Sequence, residues 1–200
     1  MRNVKCKNFL EQVTLVSFCV SCAMCLCVVS CTSSGFSSRK IVLPELEVAY
    51  TMYGPEPGYK IDMTKPKVVT YFGRNGMVHL TGTLRETPDH KINSIISENP
   101  GIEFVFYLSG ISHSDIDELL EILNRYDITY PIILDFDTVF AKNNNLVGMG
   151  AIGYFCDEEN HIFKDGGGVI GTNMSKTYFD PGLINFKYAL ARKSMKFRKR

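Results

Sequence analysis

The chain has 200 residues, with 22 lysines and arginines against 21 aspartates and glutamates, and 45 % of it is hydrophobic. So even a balance leaves no electrostatic footprint for nucleic acid, and the length suits one domain able to bury most of its apolar surface without disulfides. Six of the seven cysteines fall within the first 31 positions, leaving Cys156 alone in the rest, so no internal disulfide framework is available.

The opening segment reads as an export signal. Arg2, Lys5 and Lys7 give a basic start, and a mostly apolar run from Val13 to Val29 leads to Ser30 and Cys31. Thr14, Ser17 and Ser21 interrupt that run, and it falls short of the roughly 20 apolar residues a membrane span needs. Cys19 to Cys22 and Cys22 to Cys25 have the spacing of redox or zinc motifs. No histidine or further cysteine pair completes a zinc shell, and cysteine here serves as a small hydrophobe. The stretch from Thr32 to Ser38 is small and polar, and residues 31–40 are expected to form a flexible tether.

Val28-Val29-Ser30-Cys31 resembles the lipobox of bacterial lipoproteins, with valine where that pattern usually has leucine. The resemblance implies that residues 1–30 are removed and that Cys31 becomes a diacylated first residue. Membrane lipid is then a partner through acylated Cys31. Each buried methylene of an acyl chain contributes about 0.8 kcal/mol, so two or three chains anchor stably where one does not. The expected location is the bacterial cell envelope, lipid-anchored, facing the periplasm or exterior.

From Lys67 the pattern alternates between strands and helices. Val68 to Phe72 is a β-branched and aromatic run that predicts a buried strand. Thr87-Pro88 predicts a helix start, with Ile92, Ile95 and Ile96 on one face and a stop near Asn99-Pro100-Gly101. Glu103 to Leu108 is a second strand. Ser112 and Asp115 form a capping-box pattern ahead of a helix whose stripe is Ile116, Leu119, Leu120, Leu123 and Tyr126. Pro131 to Asp135 is a third strand, followed by a short helix through Val139 to Lys142. Ala151 to Cys156, the turn Asp157 to Asn160, and His161 to Lys164 predict an antiparallel hairpin, and Pro181-Gly182 opens a last helix with Leu183, Phe186 and Leu190. The element order is βαβα(βα)ββα.

Tyr130 to Asp135, Phe140-Ala141-Lys142 and Tyr154 to Asp157 through Ile162 resemble the thioredoxin-like branch shared by membrane-tethered thiol-disulfide reductases and the alkyl-hydroperoxide-reductase or thiol-specific-antioxidant peroxiredoxins. The resemblance implies an α/β fold, a thioredoxin-like central mixed sheet flanked by helices. The domain is expected over residues 41–195, with its core at about 65–190, and residues 196–200 are a basic tail.

That family works through Cys-x-x-Cys after the first core strand, or through a peroxidatic cysteine there, because a helix N-terminus lowers the thiol pKa. This chain has Gly73 to Leu80 in that place, and Met77, Val78, His79 and Leu80 mark the position of the missing dithiol, read as an altered loop. The family's second landmark, a proline before the hairpin, is absent from Leu146 to Ile152. No catalytic residue, cofactor-binding residue or metal ligand is therefore assigned, and the spacing of His90, His113 and His161 supports no metal site. Gly166-Gly167-Gly168 leads into Val169 and Ile170 instead of a helix, so it reads as a turn and not as a phosphate cradle.

The expected function is a redox-inactive binding or scaffold module, with a cell-envelope protein or peptide as its partner and no nucleic acid. The alternative is a thiol-disulfide oxidoreductase or peroxiredoxin-related enzyme using Cys156. A third reading is a different open sheet with a small-molecule pocket near its strand ends.

Overall fold

The computed structural model describes residues 35–46, 48–86, 91–163 and 176–197. Cys31 and the whole signal and lipobox segment lie outside the described residues, as do Thr87-Pro88 and Gly166 to Gly168. Strands are β1 (Phe36–Lys40), β2 (Ala49–Thr51), β3 (Gly54–Pro55), β4 (Lys67–Phe72), β5 (Glu103–Ser109), β6 (Ile132–Asp135), β7 (Ala151–Cys156) and β8 (His161–Phe163). Helices are α1 (Gly76–Glu86), α2 (Lys91–Ser97), α3 (Ile116–Arg125), α4 (Val139–Asn144) and α5 (Lys176–Phe197).

Every residue of β4 is buried, as its unbroken β-branched and aromatic run requires. It lies at the centre of an eight-stranded sheet ordered β1-β8-β7-β4-β5-β6-β2-β3. β4, β5 and β6 are parallel, while β7 runs antiparallel to β4. The crossovers from β4 to β5 and from β5 to β6 step the same way along the sheet, so right-handed connection puts their helices on one face. Leu80, Leu84, Ile92, Leu119 and Leu123 accordingly share one core with Val68, Phe72, Phe104 and Phe106, and Leu183 and Phe186 of α5 join it. On the other face Val69, Tyr71, Val105 and Tyr107 pack with Phe140 and Ala141 of α4 and with Ile41. Tyr107 and Phe140 stack at 4.3 Å.

The expected fold, a thioredoxin-like central mixed sheet flanked by helices, is the one found, and its order from β4 onward is the order read from the sequence with one helix added, α1 between β4 and α2. The Ser112 capping box forms, with the Ser112 amide donating to Asp115 Oδ2 at 2.6 Å. It opens a single turn of 3-10 helix, His113–Asp115, that runs into α3. Three features differ. Residues 76–86 are helical, so Met77 to Leu80 are the first turns of α1 and not a loop. Gly76, Gly82 and two threonines make this a poor intrinsic helix, and it forms because Leu80 and Leu84, four apart, both enter the core. The last helix begins at Lys176, ahead of Pro181.

The third difference is the tether. Phe36–Lys40 is a strand paired with β8, so the folded unit starts before residue 41. The cause is one side chain: Phe36 contacts Phe163 at 5.6 Å and Phe186 at 6.2 Å between ring centroids. One aromatic in a run of serines has no period, and only the cluster it joins makes it structural. The strands β2 and β3 at the other edge were equally unmarked in sequence.

The hairpin and α5 are joined by charge. Lys193 Nζ lies 2.8 Å from Asp157 Oδ2 and 3.2 Å from Glu158 Oε2. Burial alone would lift the Asp157 carboxyl, but the Lys193 ammonium and the His161 amide outweigh it and hold the carboxyl below its ordinary range. A lowered carboxyl contributes stability above its unfolded value of about 3.9, and that contribution is lost as pH falls through the folded value. Asp157→Asn is expected to lower the melting temperature at neutral pH and to flatten its fall below about pH 5. Phe36→Ala is expected to cost about 3 kcal/mol in urea denaturation; a flexible tether would lose nothing.

Candidate functional site

The chain leaves β4 through Gly73-Arg74-Asn75 and enters α1 at Gly76. The Gly73 amide donates to the Gly150 carbonyl at 2.6 Å, and the Arg74 amide donates to the Met149 carbonyl at 2.9 Å. These bonds clasp the exit of β4 against the loop that leads into β7. The clasp needs glycine for space: a Cβ on Gly73 would lie 2.3 Å from the Met149 carbonyl oxygen, and one on Gly76 would lie 2.2 Å from that of Ser109. Asn75 takes a left-handed φ of 59°, and its carbonyl accepts the amides of Val78 and His79 as α1 begins.

His79 closes the arrangement. A Cβ on Gly150 would lie 2.8 Å from His79 Nε2, so the imidazole rests directly on that glycine. The stretches 77–80 and 146–152, which the sequence marks separately as two altered landmarks, therefore meet in space. Their side chains divide sharply. His79 is half-buried on Gly150, Val78 is exposed, Met77 packs partly on the core, and Leu80 is inside it. Val147 and Met149 join Val78 as exposed apolar side chains on this rim. Among the described residues all peptide bonds are trans.

The same end of the sheet holds Asp135, at the close of β6. It is buried, and its carboxylate accepts the amides of Val139 at 2.6 Å and Phe140 at 3.1 Å, capping α4. Burial raises its pKa more than those donors lower it. Its sequence sign was only an acidic residue closing a strand, four positions ahead of a helix. His113 packs on Phe136 with tilted rings, their centroids 4.3 Å apart, near the ends of β5 and β6.

Cys156 sits at the opposite end. It pairs with Lys67 across β4 and β7, five residues along the strand from Ala151, or about 17 Å away. Its thiol is fully buried, and burial, reinforced by the charge of Asp157, pushes it up to about 12 despite Lys67 nearby. Lys67 is itself buried and donates to the carbonyls of Met63, Lys65 and Glu158 at 3.2, 2.8 and 3.3 Å.

One cluster was missed in the sequence. Asp157, Glu159 and His161 bring possible ligand atoms within 4.8 Å of one another, through alternate positions of the hairpin turn. His161 Nδ1 lies 3.2 Å from Asp157 Oδ2, but Lys193 Nζ is 2.8 Å from the same oxygen. An ammonium already holds the place a cation would take, so the cluster reads as the junction of hairpin and helix.

No family model matches the chain, and neither does any curated protein. Among solved structures it is similar to MTB dsbF in its mixed oxidized and reduced forms, at 17 % identity over 72 % of this chain and 99 % of that one, with a TM-score of 0.48. It is similar to a domain of a possible thiol-disulfide isomerase from Cytophaga hutchinsonii, at 13 % identity over 78 % and 99 %, with a TM-score of 0.47. A putative thiol:disulfide interchange protein DsbE from Chlorobium tepidum matches at 12 % identity over 64 % and 84 %, with a TM-score of 0.43.

The two kinds of close approach separate experimentally. Gly76→Ala forces a methyl against backbone and is expected to cost about 2 kcal/mol in urea denaturation. Gly150→Ala meets only the end of an imidazole, which can swing away. It is expected to cost less than about 1 kcal/mol while shifting the His79 ring resonances in the NMR spectrum.

Proposed function

We propose that this chain is an envelope lipoprotein, anchored through acylated Cys31, whose thioredoxin-like domain binds a protein or peptide partner and carries out no thiol-disulfide exchange. The observation that supports it is the packing of His79 on Gly150. The two segments where a dithiol and its facing proline would stand are here an imidazole against a glycine, held by a backbone clasp. Exchange requires an attacking thiolate on an accessible sulfur. Cys156 offers the reverse, a buried thiol raised far above neutral pH, at the other end of the sheet. What the clasped end does offer is a formed surface, with exposed Val78, Val147 and Met149 beside exposed Arg74. Apolar side chains grouped on a rigid rim suit recognition of another chain.

Three measurements test this. Insulin or peroxide reduction by the purified chain is expected at background rates, and turnover typical of a thiol-disulfide reductase would overturn the reading. Peptide mapping after iodoacetamide treatment is expected to find Cys156 unmodified in the native chain and modified once it is unfolded. Cells fed a palmitate analogue are expected to label the wild type and not Cys31→Ala; equal labelling of the two would remove the anchor.

A further inference from the structure

Helix α5 is apolar on two faces, and only one of them is used by the fold. Leu183, Phe186 and Ala189 are buried against the sheet, and Lys193 continues that side into its ion pairs with Asp157 and Glu158. The opposite side carries Ile184, Tyr188, Ala191 and Met195, spaced i, i+4, i+7 and i+11 and so stacked in one stripe. Ile184, Tyr188 and Met195 are 52, 67 and 56 % exposed. Exposed Lys187 and Arg192 flank the stripe on either side. Most of the charge around it is positive: seven of the chain's 22 lysines and arginines, and none of its 21 acidic residues, lie in the last twenty positions, while Asp180 stands one turn before Ile184. The residues before them are net acidic.

We propose that this outer face of α5 lies on an anionic lipid bilayer, with Ile184, Tyr188 and Met195 entering the headgroup boundary and Lys187 and Arg192 pairing with lipid phosphates. An apolar stripe bordered by long cationic side chains is the form of an interfacial helix, since those side chains reach back to the headgroups while their stems lie along the apolar layer. Basic residues held near such a surface add attraction that salt weakens. No helix among the described residues is long and apolar enough to cross a membrane, so α5 would rest on the surface. An acidic protein partner would meet the same charges, but an unbroken stripe with cations on both flanks matches a flat, uniformly anionic surface better. The proposal goes beyond the binding module and does not require acylation of Cys31.

The chain contains no tryptophan, so Tyr188→Trp in the full chain is a single reporter on this face. The N-terminal segment can bring the protein to any vesicle, and the reporter asks only whether α5 touches lipid. In phosphatidylglycerol-containing vesicles the emission is expected to shift to the blue and to be quenched by brominated acyl chains. In phosphatidylcholine vesicles, or with Lys187→Glu and Arg192→Glu added, quenching is expected to fall at least tenfold. The control Tyr53→Trp, between β2 and β3, is expected to stay unquenched throughout. If the Tyr188→Trp indole is unquenched in anionic vesicles the proposal is overturned, as it is by equal quenching in both lipids. A blue shift that appears without vesicles and grows with protein concentration also overturns it, in favour of a second copy. A failed acylation test would leave these outcomes unchanged.

Discussion

The 2.6 Å hydrogen bond from the Gly73 amide to the Gly150 carbonyl, with its neighbour from Arg74 to Met149, sets the geometry of the end of the sheet where α1 begins. It can form only because β4 is buried on both faces and paired on both edges, which brings its exit beside the entry to β7. It also requires two glycines, since any Cβ at Gly73 or Gly76 would strike a carbonyl oxygen. Once the clasp is made, α1 has one place to begin, and the register of Met77, Val78, His79 and Leu80 follows from it.

That register decides what each of those four residues can do. A helix puts Leu80 in the core and Val78 in solvent, and it turns His79 onto Gly150. The cysteine among the described residues, Cys156, lies at the other end of β7, where burial opposes ionisation. Position and burial therefore both set the Cys156 thiol apart from the clasped end, whose rim carries exposed Val78, Val147 and Met149.

The C-terminal helix obeys a second constraint. Phe186 contacts the rings of Phe36, Phe155 and Phe163, and Lys193 is paired with Asp157, so the rotation of α5 about its axis is settled by its inner side. The outer stripe is exposed as a consequence. Phe36 belongs to the same cluster, which is why a polar stretch becomes the edge strand of the sheet.

The sequence by itself determined the α/β class and the order of the strands from β4 onward, because the central strands are buried on both faces and read as unbroken apolar runs. The same reasoning found the capping box at Ser112, which depends on neighbours close in the chain, and the buried setting of Cys156, which follows from its place in an apolar strand. It also marked 77–80 and 146–152, though not their contact. Tertiary structure alone decided that Met77 to Leu80 are helical, that Phe36–Lys40 is a strand, that Asp157, Glu159 and His161 converge under Lys193, and that His79 rests on Gly150. Each of these joins residues far apart in sequence or overrides weak local propensity. Periodicity reports which face of an element is apolar, but only packing shows what that face meets.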